Sequence, residues 1–363
     1  VPLYSEDQTS MNPPAAFKPY NHPSAWKGAD LRQSTDWILT LSASDNDELQ
    51  AALAIAKGKG AQIPHLKASD FPLPTLAPRI GAMLDDLIDG RGFTLVRGFD
   101  IGRYPIQDAA LIYWGLGAHM GEGRAQNAQG DLLGHVTDLG VDFRTNTNVR
   151  GYQTKLVLPF HNDSQDVVGL MCVHPARSGG LSRIVSSTAV HNEVLARRPD
   201  LLGVMYQPFH MDRRGEEPPG KPPYYTGAFF EWCGDRLLCR YNRTYITSAQ
   251  RFAELPRLTP QQIEALDLMD SLCNDKDLRL DMELQPGDMQ FICNYTTLHS
   301  RTSYQDWPEK ERRRYLLRLW LDTGRMGPLP ASYLARYEDM QIWQRNPRPP
   351  IFDLSALKAE LAH

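Results

Sequence analysis

The strongest constraint on the fold begins near residue 150, where the chain becomes a series of short apolar or alternating runs separated by Gly, Pro and Asp. "TKLVLPF", "VVGLMCV", "RIVSS", "RLLCRYN", "MQFICNY" and "YLLRLWL" each have the length and composition of a strand. Runs of this kind predict a mainly antiparallel sheet system, a β-sandwich or barrel. One helix interrupts them: Thr259 can cap it, Pro260 suits the first helical position and Gln262 completes a capping box.

The preceding part reads as helical. Asp45 to Lys57 carries Leu49, Leu53 and Ala56 on one side and ends at Gly58, and Leu76 to Asp89 carries Ile80, Met83, Leu84 and Leu87. "FTLVRGF" then reads as a strand. The expected architecture is α+β: an N-terminal extension over residues 1–36, one domain over 37–325, and a C-terminal extension over 326–363 packed on the core. The opening "VPLYSEDQTS" is left out of fold reasoning as a polar tail.

Composition narrows the function classes. With 39 basic and 43 acidic residues the formal charge is −4, so no global positive field gathers nucleic acid or anionic membrane. The partner expected is a small molecule. Five cysteines are an odd count without CxxC spacing, which argues for a reducing compartment. With no apolar run near membrane-spanning length and no signal-peptide layout at the start, the expected location is the cytoplasm.

Chemistry enters at "LPFHNDSQD". Residues i and i+2 of a strand share a face, so His161 and Asp163 can present a nitrogen and an oxygen to one ion. Alone the pair is weak, since a strand-end histidine bonded to backbone is then the better reading. His299, in "NYTTLHSRT" just past another apolar run, supplies a third donor. Two imidazoles and a carboxylate form the facial triad that suits Fe(II) and leaves positions open, whereas zinc prefers more nitrogen or sulfur. Downstream, Arg314, Leu316, Arg318 and Trp320 alternate onto one face of "RYLLRLWLD". An inward arginine on an apolar strand needs an anion: a dicarboxylate ligand, or a protein salt bridge.

Taken together, "FHNDSQD", "PARSGGLSRIVSS", "PGDMQF" and "LHSRT…RRRYLLRLWL" resemble the taurine dioxygenase-like (TauD/TfdA) family of Fe(II)- and 2-oxoglutarate-dependent oxygenases, over roughly residues 93 to 325. The resemblance implies a double-stranded β-helix (jelly-roll) core with flanking helices. It implies iron held by His161, Asp163 and His299, with 2-oxoglutarate and O2 as co-substrates. Arg318 would grip the distal carboxylate of 2-oxoglutarate, Arg314 would lie near its 1-carboxylate, and Ser182 would supply an assisting hydroxyl. An intact Asp163 disfavours halogenation, so hydroxylation is the expected outcome, with desaturation or ring closure using the same residues.

For the substrate, Gln126, Asn127 and His135 are candidates in a Gly-rich stretch, and Arg240, Arg243 and Arg301 would make the pocket cationic. That combination points to a small anionic or amino-acid-like metabolite. The competing readings are an oxygenase acting on a macromolecule and a non-catalytic jelly-roll binding protein.

Overall fold

A computed structural model describes residues 17–140, 150–334, 343–344 and 346–360. The opening tail and parts of the expected C-terminal extension lie outside the described residues. Two sheets face each other. The major sheet runs in the order Ile38–Thr40, Phe93–Arg97, Met289–Cys293, Val167–His174, Tyr315–Asp322, with Glu122–Gly123 and Leu133–Thr137 both pairing with the last of these. Only its first pair is parallel. The minor sheet, Arg279–Met282, Ser182–Ser186, Thr297–Arg301, Leu158–His161, is antiparallel throughout.

Alternation along Tyr315–Asp322 shows how the layers are sorted. Leu316, Arg318 and Trp320 turn towards the cavity between the sheets. Leu317, Leu319 and Leu321 join the core formed with the helices behind the major sheet. The minor sheet is backed in the same way. Phe160, Val185 and Leu298 pack with Val190, Leu202 and Leu266, which come from the helices Ser187–Arg197, Pro199–Met205 and Pro260–Cys273.

The expected capping box is present: Thr259 Oγ1 accepts from the Gln262 amide at 3.2 Å and the Gln262 side chain accepts from the Thr259 amide at 3.0 Å. The helix Leu76–Asp89 has its expected bounds, and the earlier one extends to Ala43–Gly58 because Ser42 and Asp45 form a second capping box. The strand expected from "TKLVLPF" starts only at Leu158; Leu156 and Val157 lie exposed at the cavity rim. Helix Ile106–Ala118 has no counterpart in the sequence reading. Ala109 to Gly117 are all buried, so no polar face marks the helical period.

Two glycines let this helix approach the sheet. A Cβ on Gly117 would stand 2.3 Å from Leu319 Cδ2, and one on Gly169 would stand 2.3 Å from Tyr113 Oη and 2.8 Å from Phe291 Cε1. Tyr113 is fully buried and has no room to retreat. Gly169→Ala should therefore destabilise the protein by about 1–3 kcal/mol, read from the urea midpoint; an unchanged midpoint would show that the helix is not pressed onto the strand.

Candidate active site

The cavity between the sheets has a volume of about 300 Å3 and takes its walls from both. His299 stands opposite His161 in the antiparallel register of Thr297–Arg301 with Leu158–His161, and their rings lie 4.2 Å apart. Asp163 is not on that strand, which ends at His161. A turn brings it in, and Asn162 holds the turn. The Asn162 amide donates to Tyr241 O at 3.0 Å, its Oδ1 accepts from Tyr241 N at 2.8 Å, and its Nδ2 donates to the Asn294 and Thr297 carbonyls. Asn294 Oδ1 then accepts from the Asp163 amide at 3.1 Å. Asn162 thus shapes the backbone between the two donors.

Each imidazole Nε2 lies 3.8 Å from an Asp163 oxygen, His161 from Oδ1 and His299 from Oδ2, and one ligand atom from each residue falls within 4.8 Å of the others. His161 Nδ1 is 2.9 Å from the Pro159 carbonyl, where it must carry a proton, so Nε2 faces the centre as a lone pair. Burial, with the neighbouring His161, pushes His299 down to about 3. Burial lowers His161 as well. Burial works against the Asp163 anion too, but Arg318, His299 and His161 hold its carboxyl below the usual carboxylate range. Neutral imidazoles and an ionised carboxylate are the states that bind a divalent cation, and two nitrogens plus one oxygen on one side fit iron(II).

The arginines divide into two groups. Arg318 lies beside the triad: Nη1 donates to Asp163 Oδ2 at 3.2 Å, Nε to Gln126 Oε1 at 2.7 Å, and its guanidinium lies 4.4 Å from the Tyr152 ring centroid. Trp320 Nε1 donates to the same Asp163 oxygen at 3.0 Å. Arg314 and Arg301 form a second, deeper group over Tyr304, 5.1 and 4.9 Å from its ring centroid. Arg314 Nη1 and Arg301 Nε and Nη1 are buried without a hydrogen-bond partner among the described residues. Burial and the adjacent Arg314 push Arg301 down to about 10. Ser182 is the register partner of Arg301, and its hydroxyl donates to Gln290 Oε1 at 2.9 Å. Buried guanidinium N–H groups without partners mark a place for an anion.

The residues read from sequence as near the substrate separate likewise. Gln126 and Arg301 line the cavity. Asn127 closes a turn on Asp131 at 2.7 Å. His135 pairs with Leu317, on the opposite face from Leu316 and Arg318, and its Nδ1 is 2.6 Å from Tyr315 Oη. Arg243 is an ion-pair partner of Asp267 and Asp270, and Arg240 donates to Ser332 O. None of these four lines the cavity. The outer end is instead made by Arg150, Tyr152, Arg214, Glu216, Thr244 and Tyr245, where Arg150 Nη2 lies 2.6 Å from Glu216 Oε1. These come from irregular segments or a short helix, where no periodicity predicts direction. Trp320 was legible, since alternation places it beside Arg318.

A family model described as taurine catabolism dioxygenase TauD, TfdA family, matches residues 59–320. The chain belongs to the TauD/TfdA family. It is an Fe(II)- and 2-oxoglutarate-dependent dioxygenase. It is 30% identical over 320 residues to FR-33289 synthase of Streptomyces rubellomurinus, covering 87% of this chain and 94% of that protein. It is 29% identical to a taurine hydroxylase-like protein of Stachybotrys chartarum, covering 82% of this chain and 78% of the other. The solved structure of asparagine oxygenase with Fe(II), 3-hydroxyasparagine and succinate shares the fold: TM-score 0.62 at 17% identity, over 82% of this chain and 98% of that one. The oxygenase OrfP with Fe and α-ketoglutaric acid aligns with TM-score 0.58 at 15% identity, over 79% and 93%. The fold is the jelly roll expected of TauD-like oxygenases.

In the metal-free dioxygenase the histidine shifts carry a consequence for stability. The unfolded chain protonates both imidazoles near the ordinary value of 6.5, while in the folded chain burial lowers both, His299 down to about 3. Stability should fall as pH drops from about 6.5 towards 3, with His299 contributing a slope of up to about 1.4 kcal/mol per pH unit. Urea titrations at two pH values inside that window should show the loss, and His299→Gln should make it shallower; an equal slope in the variant would place the acid sensitivity elsewhere.

Proposed function

We propose that this dioxygenase hydroxylates an unactivated C–H bond of a small anionic or amino-acid-like metabolite, with His161, Asp163 and His299 as the iron ligands. The observation that carries the reading is the deep arginine pair. Arg301 lies two residues beyond His299 on the same face, about 6.6 Å along the strand, with Ser182 beside it. A five-carbon diacid anchored at the metal through its keto-acid end reaches that far, so its distal carboxylate would meet the N–H groups that Arg314 and Arg301 leave unsatisfied. This exchanges the arginine roles implied by the family resemblance, because Arg318 is already engaged by Gln126 and Asp163.

When bound, iron supplies the coupling of O2 reduction to the oxidative decarboxylation of 2-oxoglutarate to succinate and CO2. The protein contributes position and seclusion. Asp163 offers an anion whose Oδ2 is fixed by Arg318 and Trp320. Val136, Leu170 and Leu316 line the wall and limit water near the reacting centre.

The substrate sits at the outer end. Guanidiniums at Arg150 and Arg214 with the Glu216 carboxylate suit a small polar, charged molecule. An amino-acid-like substrate is further supported by relatives of this fold bound to hydroxyasparagine and to hydroxyarginine. No helix among the described residues is long and apolar enough to cross a membrane. Five free cysteines, four of them buried, fit a reducing, cytoplasmic setting.

Anaerobic protein given Fe(II) and 2-oxoglutarate should develop a weak visible charge-transfer band, and His299→Ala should abolish it. Iron binding without any such band would end the 2-oxoglutarate reading. Arg314→Ala should raise the 2-oxoglutarate concentration that half-saturates this band by about 10-fold or more, which is at least about 1.4 kcal/mol. If Arg318→Ala produced that shift and Arg314→Ala did not, the distal carboxylate would belong to Arg318.

A further inference from the structure

Gln126 is buried and every polar atom of its amide is used. Oε1 accepts from Arg318 Nε at 2.7 Å, and Nε2 donates to the Arg318 carbonyl at 2.8 Å and to the Leu132 carbonyl at 3.0 Å. The amide therefore grips Arg318 at both ends, backbone and guanidinium. The same guanidinium donates through Nη1 to Asp163 Oδ2, the oxygen that Trp320 also holds.

We propose that Gln126 is a positioning residue for the iron centre: it acts through Arg318 to fix the Asp163 carboxylate by its Oδ2, which leaves Oδ1, 3.8 Å from His161 Nε2, without that tether. The proposal rests on the iron-ligand reading given above. Arginine has long rotamer freedom, and without an anchor its fork can swing along the cavity. Fixing Nε leaves Nη1 with one direction, onto Asp163. A carboxylate held through one oxygen binds a cation through the other, which leaves room for co-substrates. Partners of this kind orient metal ligands, and losing one typically weakens metal binding 10- to 100-fold. Both Nε2 protons of Gln126 are committed to backbone carbonyls, so it has no hydrogen left to donate to a substrate.

Gly134 belongs to this arrangement. It pairs with Arg318 across the sheet, and a Cβ there would stand 2.4 Å from Gln126 Oε1 and 3.5 Å from Arg318 Cβ. Only a residue without a side chain lets the amide lie flat over the strand. Gly134→Ala therefore displaces Gln126 without deleting it.

The test is anaerobic titration of the metal-free protein with Fe(II), and separately with Co(II) for its visible spectrum, alongside the melting temperature without metal. Gln126→Leu and Gly134→Ala should each weaken metal binding about 10-fold or more and alter the Co(II) spectrum. Gln126→Glu, which keeps an acceptor for Arg318 Nε but loses both donations to backbone carbonyls, should weaken metal binding less than Gln126→Leu does. Should Gln126→Leu and Gly134→Ala lower the melting temperature yet leave affinity and spectrum unchanged, Gln126 is merely structural and the proposal falls. Wild-type protein that binds neither metal would overturn the iron-ligand reading, and this proposal with it; metal binding by wild type and variants alike overturns this proposal alone.

Discussion

The register between Leu158–His161 and Thr297–Arg301 is the constraint on which the site depends. Side chains on a strand alternate between faces, so a slip of one residue would turn His299 away from His161. The core behind the minor sheet guards against that slip. Phe160 and Leu298 are sealed among the helices on the outer face, and moving either towards the cavity would expose it and empty its pocket. The packing that stabilises the minor sheet is thus the same packing that keeps His161 and His299 facing each other.

Charge then organises what the register brings together. Asp163 remains ionised in a buried setting because Arg318, Trp320 and the two imidazoles surround it. The imidazoles remain neutral because the same burial disfavours their cationic forms. At the deep end the balance is different. Arg301 and Arg314 repel each other over one tyrosine ring, and their buried N–H groups lack partners among the described residues. Arg318 is thus engaged within the protein, while Arg301 and Arg314 keep buried N–H groups without partners among the described residues.

Strand residues were legible because a period of two fixes both the element and the direction of its side chains. Arg314, Leu316, Arg318 and Trp320 could be assigned to one face from the sequence, and the cavity has all four on its wall. His161 and His299 sit at strand positions, whereas Asp163 reaches the centre through a turn held by Asn162 and Asn294, which a pattern of alternation does not describe. His135 shows the limit of a motif without a register: only the pairing with Leu317 reveals that it faces away. Helix Ile106–Ala118 was hidden for the opposite reason, since a helix buried all round carries no amphipathic period. The arginine roles depend on which N–H groups are already engaged, and that information exists only in three dimensions.

The most direct measurement of the central claim is a crystal structure of the protein with Fe(II) and 2-oxoglutarate under anaerobic conditions. The expected result is an ion held by His161 Nε2, His299 Nε2 and one Asp163 oxygen, with the distal carboxylate between Arg301 and Arg314 and Arg318 still on Asp163. A distal carboxylate bound to Arg318 instead, or an ion held by other residues, would contradict it.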